Sequence, residues 1–466
     1  MDEQFAMTSD DLYDSLQKNE QLLVFDLRLK ETFESAHIKG SVHAVCDVNT
    51  KETIMPKIPK NVKIVLVDDD GKMALETSAM MRSFGLDAYF LQGGMKQWDK
   101  ETVSGTPSSS ITPDELWKKL QEQDVFLLDV RDTDEFSDFQ IPNSVNIPLK
   151  EVFKSKNISK IPKDKEVVTI CPHGNRAMVA TFALARNGIK SHVLEGGLAG
   201  WSQVLSATKA AENPTIIQVE KIGKGCLSHV IISEGDAIVV DPLFPIEQYP
   251  DIAKKQDAKI TKILDTHQHA DHLSAAWKLA DRTGAVLYES NLEQWDRNGA
   301  TFLDDKQEIT FGKSKLRVIH TPGHTPGSLC YVVDEKYVFT GDILFVESIG
   351  RPDLRDQAEE FASHLFDSLH NKLLKLEPNV MVFPTHHGQS VKPTDGRYYT
   401  TIEKAKQHDI LKLSKEEFVK QVVGVTVPRP MNYQKIIQIN KGSIPLVTTE
   451  IPDLELGPNR CSIAGT

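Results

Sequence analysis

The stretch Thr266-His267-Gln268-His269-Ala270-Asp271-His272 places four side chains that can bind a metal within six residues. It directly follows an apolar run ending in Ile263 and Leu264, which predicts a buried strand with the cluster at its end. Imidazole and carboxylate groups in such positions are ligands that Fe, Zn and Mn accept. Three more residues of this kind follow later apolar segments, and the full set predicts a metal centre; they are His324, Asp342 and His386.

Length and composition set the outer bounds. At 466 residues the chain is too long for one hydrophobic core, and ordinary domain sizes predict about three domains. Its formal net charge of −12, without basic clusters, lacks the electrostatic footprint of proteins that bind nucleic acid or anionic membranes. No apolar run approaches a membrane-spanning length, and the N-terminus does not resemble a signal peptide. We expect a cytoplasmic protein with neither nucleic-acid nor membrane partners.

The cysteines are odd in number and scattered, which does not indicate a disulfide framework and fits a reducing compartment. Two of them fall within strand patterns and are expected to be inert core residues, namely Cys226 and Cys330. Two more, Cys46 and Cys461, have no motif around them. The fifth, Cys171, lies in a loop that the next two features single out.

The first 205 residues contain one unit twice, at a spacing of 103 positions. Phe25-Asp26-Leu27-Arg28 returns as Leu128-Asp129-Val130-Arg131, and the Gly-Gly-x-x-x-Trp ending at Trp98 returns at Trp201. A period this long indicates duplicated domains rather than a solenoid. Each copy alternates short β-rich runs with helical patterns, which predicts a parallel sheet covered by helices.

The copies diverge in one loop. The second has Cys171-Pro172-His173-Gly174-Asn175-Arg176, where the first has Asp68-Asp69-Asp70-Gly71-Lys72-Met73. A cysteine in a tight loop before a helix gains backbone N–H donors and the positive end of the helix dipole. We expect these groups and Arg176 to lower the thiol pKa and make Cys171 reactive, rather than a buried small hydrophobe. Asp68 and Met73 exclude the same sulfur chemistry from the first copy.

The Asp-x-Arg strand end, the Cys-x4-Arg loop and the Gly-Gly-x-x-x-Trp ending resemble the rhodanese family of sulfurtransferases, over roughly 100 residues per copy. The resemblance implies that Cys171, with Arg176 beside it, carries a persulfide sulfur cradled by the loop amides. It also implies that Asp129 and Arg131 tie the loop scaffold together.

One departure from the family concerns its usual Gly-His-Ile. The second copy has Phe139-Gln140-Ile141, whereas the first keeps Ala36-His37-Ile38. Because the histidine stands in the copy without a thiol, His37 is expected to be structural. The first copy is similar to an inactive rhodanese, and we expect it to serve as a docking or dimer surface.

The segment Ser206–Pro214 is polar, rich in small residues and ends in proline, which predicts a linker. We therefore expect an inactive rhodanese-like domain at residues 1–105, an active one at 106–206 and a metal-dependent domain at 215–466.

From Thr215 onward, the runs Cys226–Ile232 and Ala237–Pro242 predict a β-hairpin ahead of the histidine cluster. Together with all seven ligand positions, residues 215–440 resemble the metallo-β-lactamase superfamily. The resemblance implies an αββα sandwich with a metal site at one edge. The whole chain is thus expected to be α/β, with two tandem rhodanese-like α/β/α domains followed by an αββα metallo-β-lactamase fold.

Fold does not define activity in this superfamily, which includes thioester hydrolases, lactonases and oxygenases. Seven ligands could bind two metals that polarise a bridging water. Alternatively, His267, His324 and Asp342 form a two-histidine-one-carboxylate set with open positions, as in non-haem Fe(II) oxygenases. The ligand types alone do not choose between these arrangements.

The segment Gly350-Arg351-Pro352-Asp353-Leu354 resembles the Gly-Arg-x-Asp segment of persulfide dioxygenases rather than its glyoxalase II equivalent. That resemblance implies one Fe(II) on His267, His324 and Asp342, with Zn as a possible contaminant because Fe(II) stands low in the divalent affinity order. Arg351 and Asp353 are expected to bind substrate, unless they form a structural salt bridge. The remaining candidates would orient the ligands or hold a second metal, and they are His269, Asp271, His272 and His386.

Family members that use glutathione have the pattern Pro-x-His-Asp-Tyr around the last ligand. This chain differs from that pattern, with Pro384-Thr385-His386-His387-Gly388. The thiol carrier is therefore open among glutathione, coenzyme A and a bacillithiol-like thiol. We expect a homo-oligomeric enzyme that oxidises a low-molecular-weight persulfide with O2 to sulfite and thiol. Sulfur transfer at Cys171 would make or use thiosulfate. The alternatives are a glyoxalase II-like thioester hydrolase with two metals, and a non-enzymatic role of the rhodanese copies as sulfur-relay or docking modules.

Overall fold

The computed structural model describes residues 3–18, 20, 22–44, 58, 60, 62–105, 110–122, 124–353, 357–388, 390–425 and 428–463. Contacts divide the chain into two units, Met1–Trp201 and Ser202–Thr466. Within the described ranges, none of the helices combines the length and hydrophobicity needed to cross a bilayer. Cys46 lies outside the described residues, and the other four cysteines are buried and free of disulfides.

Each copy of the repeat in the first unit builds a five-stranded parallel sheet. In spatial order, the strands of the first copy are Ala6–Met7, Asp87–Leu91, Lys63–Val67, Leu22–Asp26 and Ser41–His43. The corresponding strands of the second are Ser110–Ile111, Ser191–Leu194, Val167–Ile170, Phe126–Asp129 and Val145–Asn146. The identical strand order confirms the duplication and the predicted parallel sheets.

Helices cover both sheets. Those of the first copy are Ser9–Gln17, Lys30–Ser35 and Lys72–Ser83, with 3-10 turns at Glu3–Phe5 and Gly94–Lys96. Those of the second are Pro113–Glu122, Thr133–Asp138, Leu149–Val152, Ser155–Ile158, Asn175–Arg186 and Gly197–Trp201. A two-stranded ribbon joins His37–Ile38 to Thr102–Val103. One continuous apolar cluster spans both copies, with Val42 of the first and Phe182 of the second among its members.

His37 has a structural environment in the first copy. Its ring is fully buried and stacks on Phe33, with ring centroids 4.1 Å apart. Its Nδ1 lies 2.8 Å from the carbonyl oxygen of Phe33, which anchors it to the preceding helix.

The second unit contains two mixed sheets. The first has the strands Leu205–Glu212, Thr215–Lys221, Cys226–Ser233, Asp236–Val240, Lys259–Leu264, Val286–Ser290 and Thr301–Leu303, in that order. The second has Glu308–Phe311, Ser314–His320, Leu329–Val333, Tyr337–Gly341, Met381–Pro384 and Thr400–Thr401. Each begins as an antiparallel meander. The first sheet then continues with parallel strands, whereas the second adds one parallel strand, Met381–Pro384, before a final antiparallel one. The parallel pairs bring several strand ends to one edge.

The apolar faces of the two sheets share one core, in which Ile231 and Leu264 of the first sheet meet Val318 and Phe339 of the second. The helices Gln248–Lys255 and Ala276–Thr283 flank the first sheet, and Ala358–Asn371 and Lys415–Gly424 flank the second. The αββα sandwich is therefore confirmed. The remaining helices are Ile402–Ala405, Tyr433–Lys441 and Ile451–Leu454, with 3-10 turns at Leu373–Lys375, Asp409–Lys412 and Thr448–Glu450.

The predicted linker Ser206–Pro214 is wrong for most of its length. Leu205–Glu212 is an edge strand that pairs antiparallel with Thr215–Lys221. Small and polar residues suit this strand because alternate side chains of an edge strand face solvent, and Ala210 is the one buried against the sandwich core. The turn at Asn213-Pro214 connects two strands of one sheet rather than two domains.

Candidate metal centre and sulfur-transfer loop

Four strand ends in the second unit deliver the predicted ligands to one edge of the sandwich. The histidine cluster follows the strand Lys259–Leu264, and Asp342 follows Tyr337–Gly341 directly. His386 comes two residues after Met381–Pro384, and His324 lies in the turn between Ser314–His320 and Leu329–Val333. All seven predicted ligand side chains are buried, so the fold brings the whole set together.

Three buried atoms that face one another lack a hydrogen-bond partner. They are Nε2 of His267, Nε2 of His324 and Oδ2 of Asp342. Each imidazole nitrogen lies 3.5 Å from the carboxylate oxygen. Buried polar atoms are ordinarily paired, because an unpaired one costs the free energy of its lost hydration. A metal ion coordinated by all three would satisfy them, so these residues fit a metal.

The Nδ1 atoms of His267 and His324, on the ring edge opposite the unpartnered Nε2 atoms, are held by hydrogen bonds. Nδ1 of His324 donates to the carbonyl oxygen of Arg351 at 2.8 Å. The hydroxyl of Thr266 donates to Asp241 at 2.9 Å, which leaves its oxygen to accept from Nδ1 of His267 at 2.9 Å. A proton on Nδ1 leaves Nε2 with a free lone pair, the form that binds metal. Burial also lowers the pKa of His324 to about 4, which keeps this ring neutral.

His269 packs beside these three residues, with its ring centroid 4.3 Å from that of His267, and its buried Nδ1 also lacks a hydrogen-bond partner. Its Nε2 lies 3.2 Å from Oδ1 of Asp241, and it forms a separate group with Asp241 and Asp265. Burial raises the pKa of Asp265 to about 7, so this carboxyl is close to half protonated near neutrality. Through Nε2, His269 supports the carboxylate that orients the Thr266 hydroxyl, while its Nδ1 has no hydrogen-bond partner.

A second group of ligand atoms lies beside the first. Asp271, His272 and His386 come within 4.8 Å of one another together with the thiol of Cys226. Nε2 of His386 lies 3.0 Å from Asp271, and its Nδ1 lies 2.7 Å from Asp342, so His386 bridges the two groups. Burial lowers the pKa of His386, but the two carboxylates outweigh burial and raise it well above its usual value.

Two cysteines of the metal domain stand closer to this centre than the sequence indicated. Cys226 is buried in a strand as expected, yet its sulfur lies 3.7 Å from Oδ2 of Asp271. Cys461, which no motif marked, forms a buried group with Asp342 and His386. Cys330 is buried in a strand as expected, and its sulfur contacts the hydroxyl of Thr321 and the carbonyl oxygen of Thr340.

Three further residues that hold the ligand loops were missed. Asn440 donates to the carbonyl oxygens of His269 and His272, at 3.0 and 2.9 Å. Glu455 accepts from the backbone N–H of Leu273 at 2.8 Å. Both come from the C-terminal segment, where no local pattern could reveal a contact with residues more than 160 positions away. Asp241, which supports His267, ends a strand that was predicted but carried no ligand motif.

Arg351 is buried, and its guanidinium is occupied. It forms a bidentate salt bridge with Asp353 at 2.7 Å for each bond, and it donates to the carbonyl oxygens of Pro428 and Arg460. The salt-bridge alternative is therefore the arrangement in the structure. A role of Arg351 and Asp353 in substrate binding stays a prediction, while the backbone carbonyl of Arg351 contacts a ligand directly.

In the first unit, the sulfur of Cys171 lies within the loop before the helix Asn175–Arg186. It accepts from the backbone N–H groups of Gly174 at 3.1 Å and Ala177 at 3.4 Å, as the predicted cradle requires. The expected lowering of the thiol pKa is wrong. Complete burial raises the pKa of Cys171 and outweighs the loop amides and Arg176, which act in the opposite direction.

Arg176 does not point freely at the thiol. Its guanidinium forms a bidentate ion pair with Glu135, with bonds of 2.8 and 2.7 Å. Asp129 and Arg131 form a buried bidentate pair, and Arg131 also donates to the carbonyl oxygens of Glu135 and Phe139. These contacts are consistent with the scaffold role, which stays a prediction.

In the first copy, Asp68 occupies the place of the thiol. Its carboxylate accepts from the N–H groups of Gly71, Met73 and Ala74, at 2.5, 2.7 and 3.2 Å. The loop has thus kept its amide cradle but fills it permanently with a side-chain anion.

Family models match most of the chain. The one for the metallo-beta-lactamase superfamily matches residues 223–386, and the one for the rhodanese-like domain matches residues 8–101 and 112–204. The probable polyketide biosynthesis zinc-dependent hydrolase PksB of Bacillus subtilis (strain 168) is 32% identical over 165 residues, which are 34% of this chain and 72% of that protein. The chain belongs to the metallo-β-lactamase superfamily and carries two rhodanese-like domains ahead of that fold. Both resemblances inferred from the sequence are confirmed.

Two further relatives differ in their activities. The mitochondrial persulfide dioxygenase ETHE1 of Bos taurus is 29% identical over 212 residues, 44% of this chain and 78% of that protein. The hydroxyacylglutathione hydrolase GloC of Haemophilus influenzae is 32% identical over 195 residues, 37% of this chain and 90% of that protein. The family and the buried histidine and aspartate groups indicate a metal cofactor, and the rhodanese-like domains support an enzyme of sulfur metabolism.

Proposed function

We propose that this chain is a persulfide dioxygenase fused to a sulfurtransferase. The metal domain would oxidise a low-molecular-weight persulfide: R–S–SH, O2 and H2O give R–SH, sulfite and two protons. The second rhodanese-like domain would move sulfur between Cys171 and small sulfur compounds. The similarity to ETHE1 and the presence of the rhodanese-like domains in one chain support this pairing of activities.

The observation that carries the proposal is the convergence of three unpartnered ligand atoms on His267, His324 and Asp342. Two imidazoles and one carboxylate, with other coordination positions left open, are the donor set of non-haem Fe(II) oxygenases. His269, which a two-metal hydrolase would use as a ligand, groups with Asp241 and Asp265 rather than with these three residues. This favours one metal per chain.

The protein's own groups have defined tasks in this scheme. Thr266 and the carbonyl of Arg351 hold the two imidazoles in the form that binds metal. When bound, Fe(II) would supply a redox centre that accepts the persulfide sulfur and O2 together. A pocket that includes His386 in its wall opens beside the centre and offers substrate a route, with Phe345, Val346 and Asn459 among its other lining residues.

The sulfur-transfer step balances without an added oxidant. Thiosulfate and the Cys171 thiol give a Cys171 persulfide and sulfite, and an organic persulfide gives the same Cys171 persulfide and a thiol. The sulfur that sits on Cys171 would stay within reach of the amides of Gly174 and Ala177, which can stabilise its negative charge.

The test is O2 consumption by iron-reconstituted protein with glutathione persulfide or coenzyme A persulfide, with sulfite measured alongside. Uptake equal to sulfite formation supports the dioxygenase, and the faster persulfide identifies the carrier. No uptake with either, in folded protein that contains iron, would contradict it.

A second candidate is a thioester hydrolase with two metals. The group of Cys226, Asp271, His272 and His386 favours it, because four buried donors can bind a second ion, and so does the similarity to GloC. Such an enzyme would hydrolyse S-acyl thioesters under anaerobic conditions, whereas the dioxygenase requires O2. The same preparation can be assayed for both.

A further inference from the structure

We propose that Glu135 determines which sulfur donor Cys171 accepts, favouring organic persulfides over inorganic thiosulfate. The inference rests on the proposed role of Cys171 as a sulfur carrier. It concerns the chemical class of donor and adds Glu135 as a specificity-determining residue.

The first observation is the bidentate pair between Glu135 and Arg176. The Arg176 side chain is 8% exposed and that of Glu135 is 30% exposed, so the guanidinium is buried while its partner still contacts solvent. Two hydrogen bonds to Glu135, of 2.7 and 2.8 Å, occupy the guanidinium N–H groups of Arg176 that would otherwise be available to bind an oxyanion. A donor that needs Arg176 must therefore compete with a carboxylate already in place.

The second observation is the charge around the loop. Glu135 contacts the Arg176 guanidinium directly, and Asp132 adds a second negative charge that acts on it electrostatically. Thiosulfate carries two negative charges. When the outer sulfur of thiosulfate moves to Cys171, the sulfite that leaves carries both charges. When an organic persulfide donates its outer sulfur, the leaving group is a thiol, so no oxyanion is placed beside Arg176. The negative surroundings of Arg176 therefore penalise the inorganic half-reaction in both directions and leave the persulfide–thiol exchange unaffected.

The third observation comes from the internal repeat. At the spacing of 103 positions, Glu135 corresponds to Thr32 and Arg176 to Met73, so the copy without the thiol lacks both partners of the pair. The scaffold pair Asp26–Arg28, in contrast, persists there with the same bidentate geometry. The Glu135–Arg176 pair is thus absent from the copy that lacks the thiol, although the fold is retained.

The experiment compares two donors on full-length protein. The wild type is reacted separately with thiosulfate and with 2-hydroxyethyl persulfide, whose thiol carrier is uncharged. The rate of formation of the Cys171 persulfide is measured by rapid quench and intact mass spectrometry. Glu135→Gln is expected to raise the second-order rate constant for thiosulfate by about tenfold, because one nearby like charge is removed. The rate constant for 2-hydroxyethyl persulfide should change less than about twofold.

Two variants separate charge from structure. Glu135→Asp keeps the charge and should keep the donor preference. Glu115→Gln removes a comparable carboxylate that caps another helix of the same domain through Thr112, and it should behave like the wild type. In the wild type itself, the thiosulfate rate should increase with ionic strength as repulsion is screened, a dependence that needs no variant.

Equal changes for both donors in Glu135→Gln, or a thiosulfate rate in the wild type that ignores salt, would overturn the inference and leave the proposed function intact. Failure of folded wild-type protein to form a Cys171 persulfide with either donor would overturn both.

Discussion

The carbonyl oxygen of Arg351 accepts the Nδ1 proton of His324 at 2.8 Å, so a residue outside the ligand set orients one of the ligands. The residue before it, Gly350, packs against the backbone of Asp342, where an added Cβ would overlap the Asp342 carbonyl oxygen. Two ligands from different strand ends are therefore held by one short segment. This dependence on backbone contacts explains why small changes beside the ligands should affect metal binding.

Gly350→Ala should reduce iron content by at least about tenfold after anaerobic loading, because the segment must move to relieve the overlap and carries the Arg351 carbonyl with it. Gly424→Ala is the matched control, since an added Cβ there meets no neighbouring atom. Metal analysis by mass spectrometry, with circular dichroism to verify folding, measures both. Iron content equal to the wild type in Gly350→Ala would show that the segment is more compliant than its contacts indicate.

The number of metals per chain distinguishes the two proposed activities. We expect one Fe(II) per chain in the wild type, none in His267→Ala, and about one in His269→Ala, because His269 groups with Asp241 and Asp265 rather than with the three proposed ligands. Metal stoichiometry after anaerobic Fe(II) loading and desalting provides the measurement. A wild type with two ions, one of which His269→Ala loses, would favour the hydrolase instead.

Thr266→Val should weaken iron binding by about 10- to 100-fold, the usual effect of removing a group that orients a metal ligand. The valine lacks the oxygen that accepts from His267 and the proton that binds Asp241. Competition with a chelator reports the affinity. Thr283→Val, which removes a hydroxyl bonded to a helix carbonyl away from the centre, should bind iron like the wild type.

Cys171→Ser should abolish sulfur transfer between thiosulfate and a thiol and leave persulfide-dependent O2 uptake unchanged. The reason is that the thiol and the metal ligands belong to different compact units of the chain. Both activities are measured on one preparation, so each serves as the control for the other. Loss of O2 uptake in folded protein would mean that the two chemistries are not independent.

Glu455→Gln should lower the free energy of unfolding of the metal domain by about 3–5 kcal/mol, because it leaves the fully buried ammonium of Lys221 without its partner. Glu450→Gln breaks an exposed pair with Lys435 and should cost about 1 kcal/mol or less. Urea unfolding followed by tryptophan fluorescence compares them.

The same pair predicts a pH dependence of stability. Burial raises the pKa of Glu455, but Lys221, His272 and the backbone N–H of Leu273 together outweigh burial, and the pKa is lowered overall. A group whose pKa is lower in the folded protein stabilises it above the unfolded pKa, and this contribution is lost as the pH falls through the folded pKa. As the pH is lowered through the acidic range, the urea midpoint of the wild type should therefore decrease more steeply than that of Glu455→Gln. Equal slopes would contradict this assignment.

Much of the architecture could be predicted from local pattern. The spacing of 103 positions identified the duplication, because residues that build the same turn and strand end recur together in both copies. The apolar runs before His267 and Asp342 indicated strands, and side chains at parallel strand ends share an edge. The prediction of a linker at Ser206–Pro214 was wrong because an edge strand, whose side chains are partly exposed, can have the composition of a linker.

By itself, the sequence determined the two fold families, the seven metal-capable side chains, the thiol at Cys171 and its replacement by Asp68, since each depends on residue type and short spacing. Only the tertiary structure decided that His269 faces Asp241, that Cys461 and Glu455 return to the metal centre, and that Glu135 holds Arg176. These relationships join residues that no local periodicity connects. They follow from packing and charge pairing within a folded core, where burial also reversed the expected pKa shift of Cys171.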